Sequence, residues 1–106
     1  MVSYQNAKDA AGKWIASAKL PEDLRAHTLD LVTFASDEDC RFFYPRRALI
    51  WQQMVNTAIA KQLRRRKLKI NVVTITRDQY QDWLAGRADT PDLRREFADS
   101  QERLTK

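Results

Sequence analysis

The stretch KINVVTIT, residues 69–76, constrains this chain more than any other. Six of its eight residues are β-branched, and neither glycine nor proline interrupts it. Such side chains favour a pleated, packed surface, so the reading is a strand over 68–76. Leu68, Ile70 and Val72 are expected to face inward, with Val73 and Ile75 on the other parity. A lone strand leaves its backbone N–H and C=O groups unpaired, so it requires a partner. Two solutions follow. CRFFY, residues 40–44, reads as a short strand or an extended lead-in, and would pair in parallel through a crossover helix, giving a βαβ unit. Alternatively, two copies of the strand pair across the axis of a homodimer. The two arrangements are compatible.

Around this strand the pattern is helical. With two Gly and three Pro in 106 residues, loops should be short and helix plentiful. Ser3 caps a first helix, 3–19, whose Tyr4, Ala7, Ala11, Trp14, Ile15 and Ala18 form one stripe. A second, 21–35, starts at Pro21 and buries Leu24, Thr28, Leu31, Val32 and Ala35. SDED, residues 36–39, reads as the loop that ends it. A long helix, 45–67, follows Pro45 and turns Trp51, Met54, Val55, Ala58 and Ile59 to one side. Thr76 and Gln79 form a capping box for a helix over 77–86 that Gly86 ends. Thr90–Pro91–Asp92 opens the last, 91–104, with Leu93, Phe97 and Leu104 as its stripe. The expected fold is therefore mostly α within the α+β class, one domain over 1–106.

The hydrophobic share, 43%, suits a globular chain. A single cysteine, Cys40, excludes an internal disulfide and fits a reducing compartment. No apolar run approaches the ~20 residues of a membrane span. The N-terminal MVSYQNAKDAAGKW has no apolar core of a secretion signal, so a cytoplasmic location away from membranes is expected.

Charge is unevenly laid out. Net charge is −3 over residues 1–40, +10 over 41–77, where no acid occurs, and −2 over 78–106. This asymmetry points to an anionic partner, DNA or RNA or an acidic protein. Its opposite is a basic centre neutralised by its own acidic flanks. The cations form two groups, Arg41, Arg46 and Arg47 at the start of the long helix and Lys61, Arg64, Arg65, Arg66, Lys67 and Lys69 at its end. Some 20 residues of helix would separate them by roughly 30 Å. Arg46 and Arg47 would then occupy the end of the helix dipole where cations are disfavoured, which asks for an anion as the explanation. Phe42, Phe43 and Tyr44 beside these arginines resemble a base-stacking mixture. A core role is preferred for Phe42 and Phe43, with Tyr44 partly exposed.

Little supports catalysis. His27 is expected on a helix surface near Asp23 and Asp30. Cys40 is expected as a small buried apolar residue, although Arg41 beside it would lower a thiol pKa. Asp37, Glu38 and Asp39 gather acids but lack the ligand spacing of a metal site. No cofactor, no metal and no enzymatic activity are expected.

KLKINVVTITRDQYQDWLAGRADTPDLRREFADSQERL resembles the strand–helix–helix order of the ribbon-helix-helix family of dimeric DNA-binding proteins. The resemblance covers about a third of the chain and implies that Lys67, Lys69 and Asn71 face a major groove. Two departures stand against it: the strand follows a long helix instead of opening its module, and the last helix has few apolar residues. The functional expectation is a small intracellular nucleic-acid-binding or regulatory protein, with Arg46, Arg47, Arg64, Arg65, Arg66, Lys67 and Lys69 contacting phosphates. The alternative is a non-enzymatic interaction module, accessory or inhibitory, docking an acidic partner.

Overall fold

The strand finds its partner within the chain, in a segment expected to be helical. A computed structural model describes residues 3–105. Their elements are α1 (Tyr4–Ser17), β1 (Thr28–Thr33), α2 (Asp37–Phe43), α3 (Leu49–Arg64), β2 (Lys69–Thr74), α4 (Arg77–Leu84), α5 (Pro91–Gln101) and β3 (Arg103–Thr105). This is a mostly α fold of the α+β class with a three-stranded sheet in the order β2-β1-β3. β1 and β2 run parallel in register from Thr28↔Lys69 to Thr33↔Thr74. β3 pairs antiparallel with Thr28, Leu29 and Asp30. The parallel pair with its helical crossover realises the βαβ expectation, but α2 and α3 together make the crossover. The sheet is also not the symmetric ribbon of the ribbon-helix-helix family, because β2 pairs with β1 of its own chain.

The expected helix over 21–35 is thus a turn followed by β1. Leu24, Thr28, Leu31 and Val32 match helical spacing, yet TLDLVT also alternates, and pairing with β2 buries it on both sides. Asp23 stops helix growth early, since its carboxylate accepts the Arg25 backbone N–H at 3.0 Å. His27 accordingly lies just before β1, half-buried.

CRFFY is not a strand: Cys40–Phe43 are the last four residues of helix α2, and Tyr44 caps its C-terminus. Ser36 caps it by accepting the Asp39 N–H at 3.1 Å, and Asp37, Glu38 and Asp39 fill the first turn, where carboxylates oppose the dipole. SDED is therefore the start of a helix and not a loop. Asp37 reaches further. Its second oxygen accepts the Leu49 N–H at 2.9 Å, capping α3 from a distance where Ala48 offers no side-chain cap.

The long helix is shorter than expected at both ends. At its C-terminus Leu68 N–H bonds Leu63 C=O at 3.3 Å and Lys67 N–H bonds Arg64 C=O at 3.0 Å. With Lys67 at φ 69°, this is a Schellman closure, sealed by Leu63 and Leu68 in one core cluster. Likewise α5 stops at Gln101, and Leu104 belongs to β3. The first-helix cap, the capping box at Thr76 with Gln79, and the Thr90–Pro91 start of α5 form as the sequence predicts.

Two cores flank the sheet. Leu29, Leu31, Leu68, Ala11, Ala58, Ile59 and Leu63 join α1 and α3 to one face. Val32, Ile75, Phe43, Tyr80, Leu84 and Phe97 join α2, α4 and α5 to the other, through linked aromatic rings such as Phe43 and Tyr80 at 5.8 Å. The inward expectation fails for Val72, which is 51% exposed, because β2 is an edge strand. Gln52 and Asn56, unexpectedly, are buried. Val32 lies past the last residue that β3 pairs with, so its carbonyl lacks a ladder donor. Gln52 Nε2 at 3.0 Å and Asn56 Nδ2 at 2.7 Å donate to it instead.

Two predictions follow from these ends. Lys67 holds a left-handed backbone that costs an L-residue about 1 kcal/mol relative to glycine. Lys67→Gly should therefore raise unfolding stability by about 1 kcal/mol in urea titration. The Leu49 N–H, then Arg41, hold the Asp37 carboxyl below its ordinary pKa. The stability Asp37 contributes is thus fully present above pH ~4 and lost as pH falls through the lowered value. The Tm difference between wild type and Asp37→Ala should be largest near neutrality and close in acid.

Candidate nucleic-acid interface

The seven cations singled out by sequence do not come together. They divide between the two ends of α3, whose 16 residues span about 24 Å. The helix between them is thus shorter than the roughly 30 Å expected from a helix over 45–67.

At the C-terminal end, Arg64, Arg65, Arg66, Lys67 and Lys69 are all exposed. The Schellman turn fans them around the helix terminus. Arg64, with Lys61, edges a hollow of about 700 Å³ between α3 and β2, beside Gln53, Thr57, Ala60 and Val72. Arg65 and Lys61 lie against Tyr4 and Lys8 of α1. Arg66 and Lys67 border a shallow hollow with Glu22, Asp23 and Arg25. Among the described residues, none of the five forms an ion pair.

The acidic flanks do not neutralise them. Asp23 is held by Arg25 at 3.0 Å and Asp37 by Arg41 at 2.7 Å. Arg77 takes both Asp39, at 2.8 Å, and Glu38, at 3.3 Å. Asp89 pairs with Arg94, and Asp92 with Arg95. The Asp89 carboxyl falls to about 2 because Arg94, then the Tyr80 hydroxyl, hydrogen-bond to it.

At the other end, Arg46 and Arg47 precede α3 instead of forming its first turn. Their apparent conflict with the helix dipole therefore disappears. Arg47 is fixed from two sides. Its guanidinium lies 4.1 Å from the centre of the Tyr44 ring, and its Nη1 donates to Gln52 Oε1 at 2.7 Å. Arg46, Arg47 and Arg95 surround an open hollow of about 570 Å³ with Tyr44, Pro45 and Asp99. Arg95 was missed by sequence reading, and no local signal links it to residues some fifty positions earlier. Lys8 was missed for the same reason.

The aromatic stretch is core. Tyr44 is only 7% exposed, against the expectation of partial exposure, and its hydroxyl donates to Asp99 at 2.7 Å. Burial, then Asp99, pushes its phenol well above the ordinary range. Phe43 is buried, and the half-buried Phe42 ring is covered by Arg94 at 4.0 Å and Arg77 at 4.6 Å. Neither ring nor phenol offers a free face for a base. Asn71, read as outward, donates to Asp30 at 3.3 Å.

Cys40 lies in the second core, its Sγ 3.4 Å from the Arg47 carbonyl oxygen, and burial raises its thiol to about 11. No group of three or more His, Cys, Asp or Glu among the described residues is placed to hold a metal ion. No described helix is long and apolar enough to cross a membrane. No family model, no curated protein and no solved structure matches this chain.

The Cys40 environment predicts slow thiol chemistry. At pH 8 native protein should react with a disulfide reagent far more slowly than a model thiol, and stoichiometrically once denatured.

Proposed function

We propose that this protein binds nucleic acid, or regulates through such binding, by phosphate contacts from the C-terminal end of α3. Arg64, Arg65, Arg66, Lys67 and Lys69 carry the contact, with Arg46 and Arg47 as a second group at the opposite end. One observation supports this reading above all: these five side chains are exposed and free of ion pairs among the described residues, while Arg25, Arg41, Arg77, Arg94 and Arg95 are each held by a carboxylate. Cations that need break no internal bond keep the full gain of counterion release on a polyanion. Helix stability explains only part of the cluster. Lys61 and Arg64 lie in the last turn and complement the dipole. Lys67 and Lys69 lie past it, and Lys67 is a cation in a backbone conformation that favours glycine. The fan around the helix end also suits an extended phosphate backbone better than a single small anion. Arg further favours bidentate phosphate contact.

Salt dependence tests the reading. Anisotropy of a labelled 20-bp duplex, titrated between ~50 and ~200 mM salt, should give a log–log slope near −0.9 per neutralised phosphate. The double variant Arg65→Ala, Arg66→Ala should make that slope shallower by about 2. Arg41→Ala, whose guanidinium is already held by Asp37, should leave it unchanged. No binding of duplex or single strand at ~50 mM salt ends the proposal.

A further inference from the structure

The strand expected to seek a partner still has one side without one. β2 is the sheet's edge, and its bonds to β1 set which backbone groups face out. Lys69 N–H bonds His27 C=O and Ile75 N–H bonds Thr33 C=O, so the odd-numbered residues turn their backbone groups to β1. By strand alternation, Ile70, Val72 and Thr74 turn their N–H and C=O groups to the open side. The usual guards of an edge are proline, a bulge or repeated charge. KINVVT has only Lys69, at its start. Val72 and Val73 are 51% and 37% exposed, one on each face.

The space beside this edge is shaped as well as open. Val72 turns its side chain into the hollow between α3 and β2, whose other walls include Thr57, Ala60, Lys61 and Arg64. A chain added along β2 would send every second side chain into that hollow. It would meet aliphatic surface at Val72 and Ala60, and cations at Lys61 and Arg64; its other side chains would lie on the opposite face, beside Val73 and Lys69. No carboxylate lines the hollow.

We propose that the free edge of β2 takes an acidic, extended segment of a partner protein as a fourth strand. Charge decides between occupants. A second copy would bring its own β2, which has no acid, and set Lys61 and Arg64 against their counterparts. A segment alternating acidic and aliphatic residues meets both the cations and the valines, with main-chain bonds supplying register. This inference stands on the edge and its hollow; it shares Arg64 and Lys69 with the phosphate reading but adds main-chain bonds along β2 that the phosphate reading does not use.

The test uses a blocked ten-residue peptide alternating Glu and Val, its Lys/Val counterpart, and the full chain labelled with 15N. The Glu/Val peptide should shift the amides of Ile70, Val72 and Thr74 and bind at least tenfold more tightly than the Lys/Val peptide. Val72→Pro removes an outward N–H without touching the β1 ladder and should abolish those shifts. Should that variant misfold by circular dichroism, N-methylation of alternate peptide amides reads the same bond, and should weaken binding at least tenfold. The proposal is overturned if the Glu/Val peptide leaves those amides unmoved, or if both peptides bind equally. It is also overturned if the free protein is a dimer with those amides protected, or if a single-stranded oligonucleotide shifts them and displaces the peptide.

Discussion

The parallel pairing of β1 with β2 is the constraint on which the molecule rests. Parallel neighbours cannot be joined by a tight turn, so the chain between them must cross over, and α2 and α3 make that crossing. Once it is made, α3 lies against the Leu29 and Leu31 face with α1. The opposite face carries Val32 into the aromatic core of α2, α4 and α5. The one carbonyl that the short β3 fails to reach, that of Val32, is met by Gln52 and Asn56 from the crossing helix. Both amides are buried because the sheet requires them there.

The same crossing sorts the charges. α2 brings Asp37, Glu38 and Asp39 to its own N-terminus, where its dipole, Arg41 and Arg77 satisfy them. Those carboxylates are thereby used at the N-terminal end of α3. The Schellman turn at the other end spreads Arg64 to Lys67 outward, with β2 leaving directly from it. Topology thus commits Asp37, Glu38 and Asp39 to partners at the N-terminal end of α3, away from the exposed cations at its other end. The two groups of cations are consequently two surfaces, not one face, and Arg95 completes the N-terminal one only through the packing of α5 against α2.

Placing β2 at the edge has the further effect of leaving Val72 and Val73 exposed, Val72 beside Lys61 and Arg64. An apolar edge beside a basic hollow is chemically asymmetric. Under the strand-addition proposal it disfavours a copy of itself and favours a segment carrying carboxylates. Phosphate contact and strand addition share Arg64 and Lys69, but only strand addition uses the outward amides of β2, and amide-resolved titration separates them.

Local chemistry alone determined a good deal. Ser3, Thr76 with Gln79, and Thr90 with Pro91 mark helix starts because a cap bonds a backbone N–H within three residues, and no distant group intervenes. β2 was legible because its β-branched run suits no other structure, and the excess of cations in the middle third is a matter of counting. What sequence could not decide were choices settled by distant partners. TLDLVT satisfies helical and alternating patterns alike, and only pairing with β2, some forty residues on, selects the strand. CRFFY is aromatic enough for a strand, yet Ser36 and three acids start a helix whose Phe43 is then buried beside Tyr80 and Phe97. Whether Arg64 to Lys69 would be neutralised, and whether Arg95 would join Arg46 and Arg47, depended on where carboxylates and helices from elsewhere in the chain came to rest. Capping bonds reach three residues along the chain, whereas ion pairs and strand pairs join residues that only the folded chain brings together.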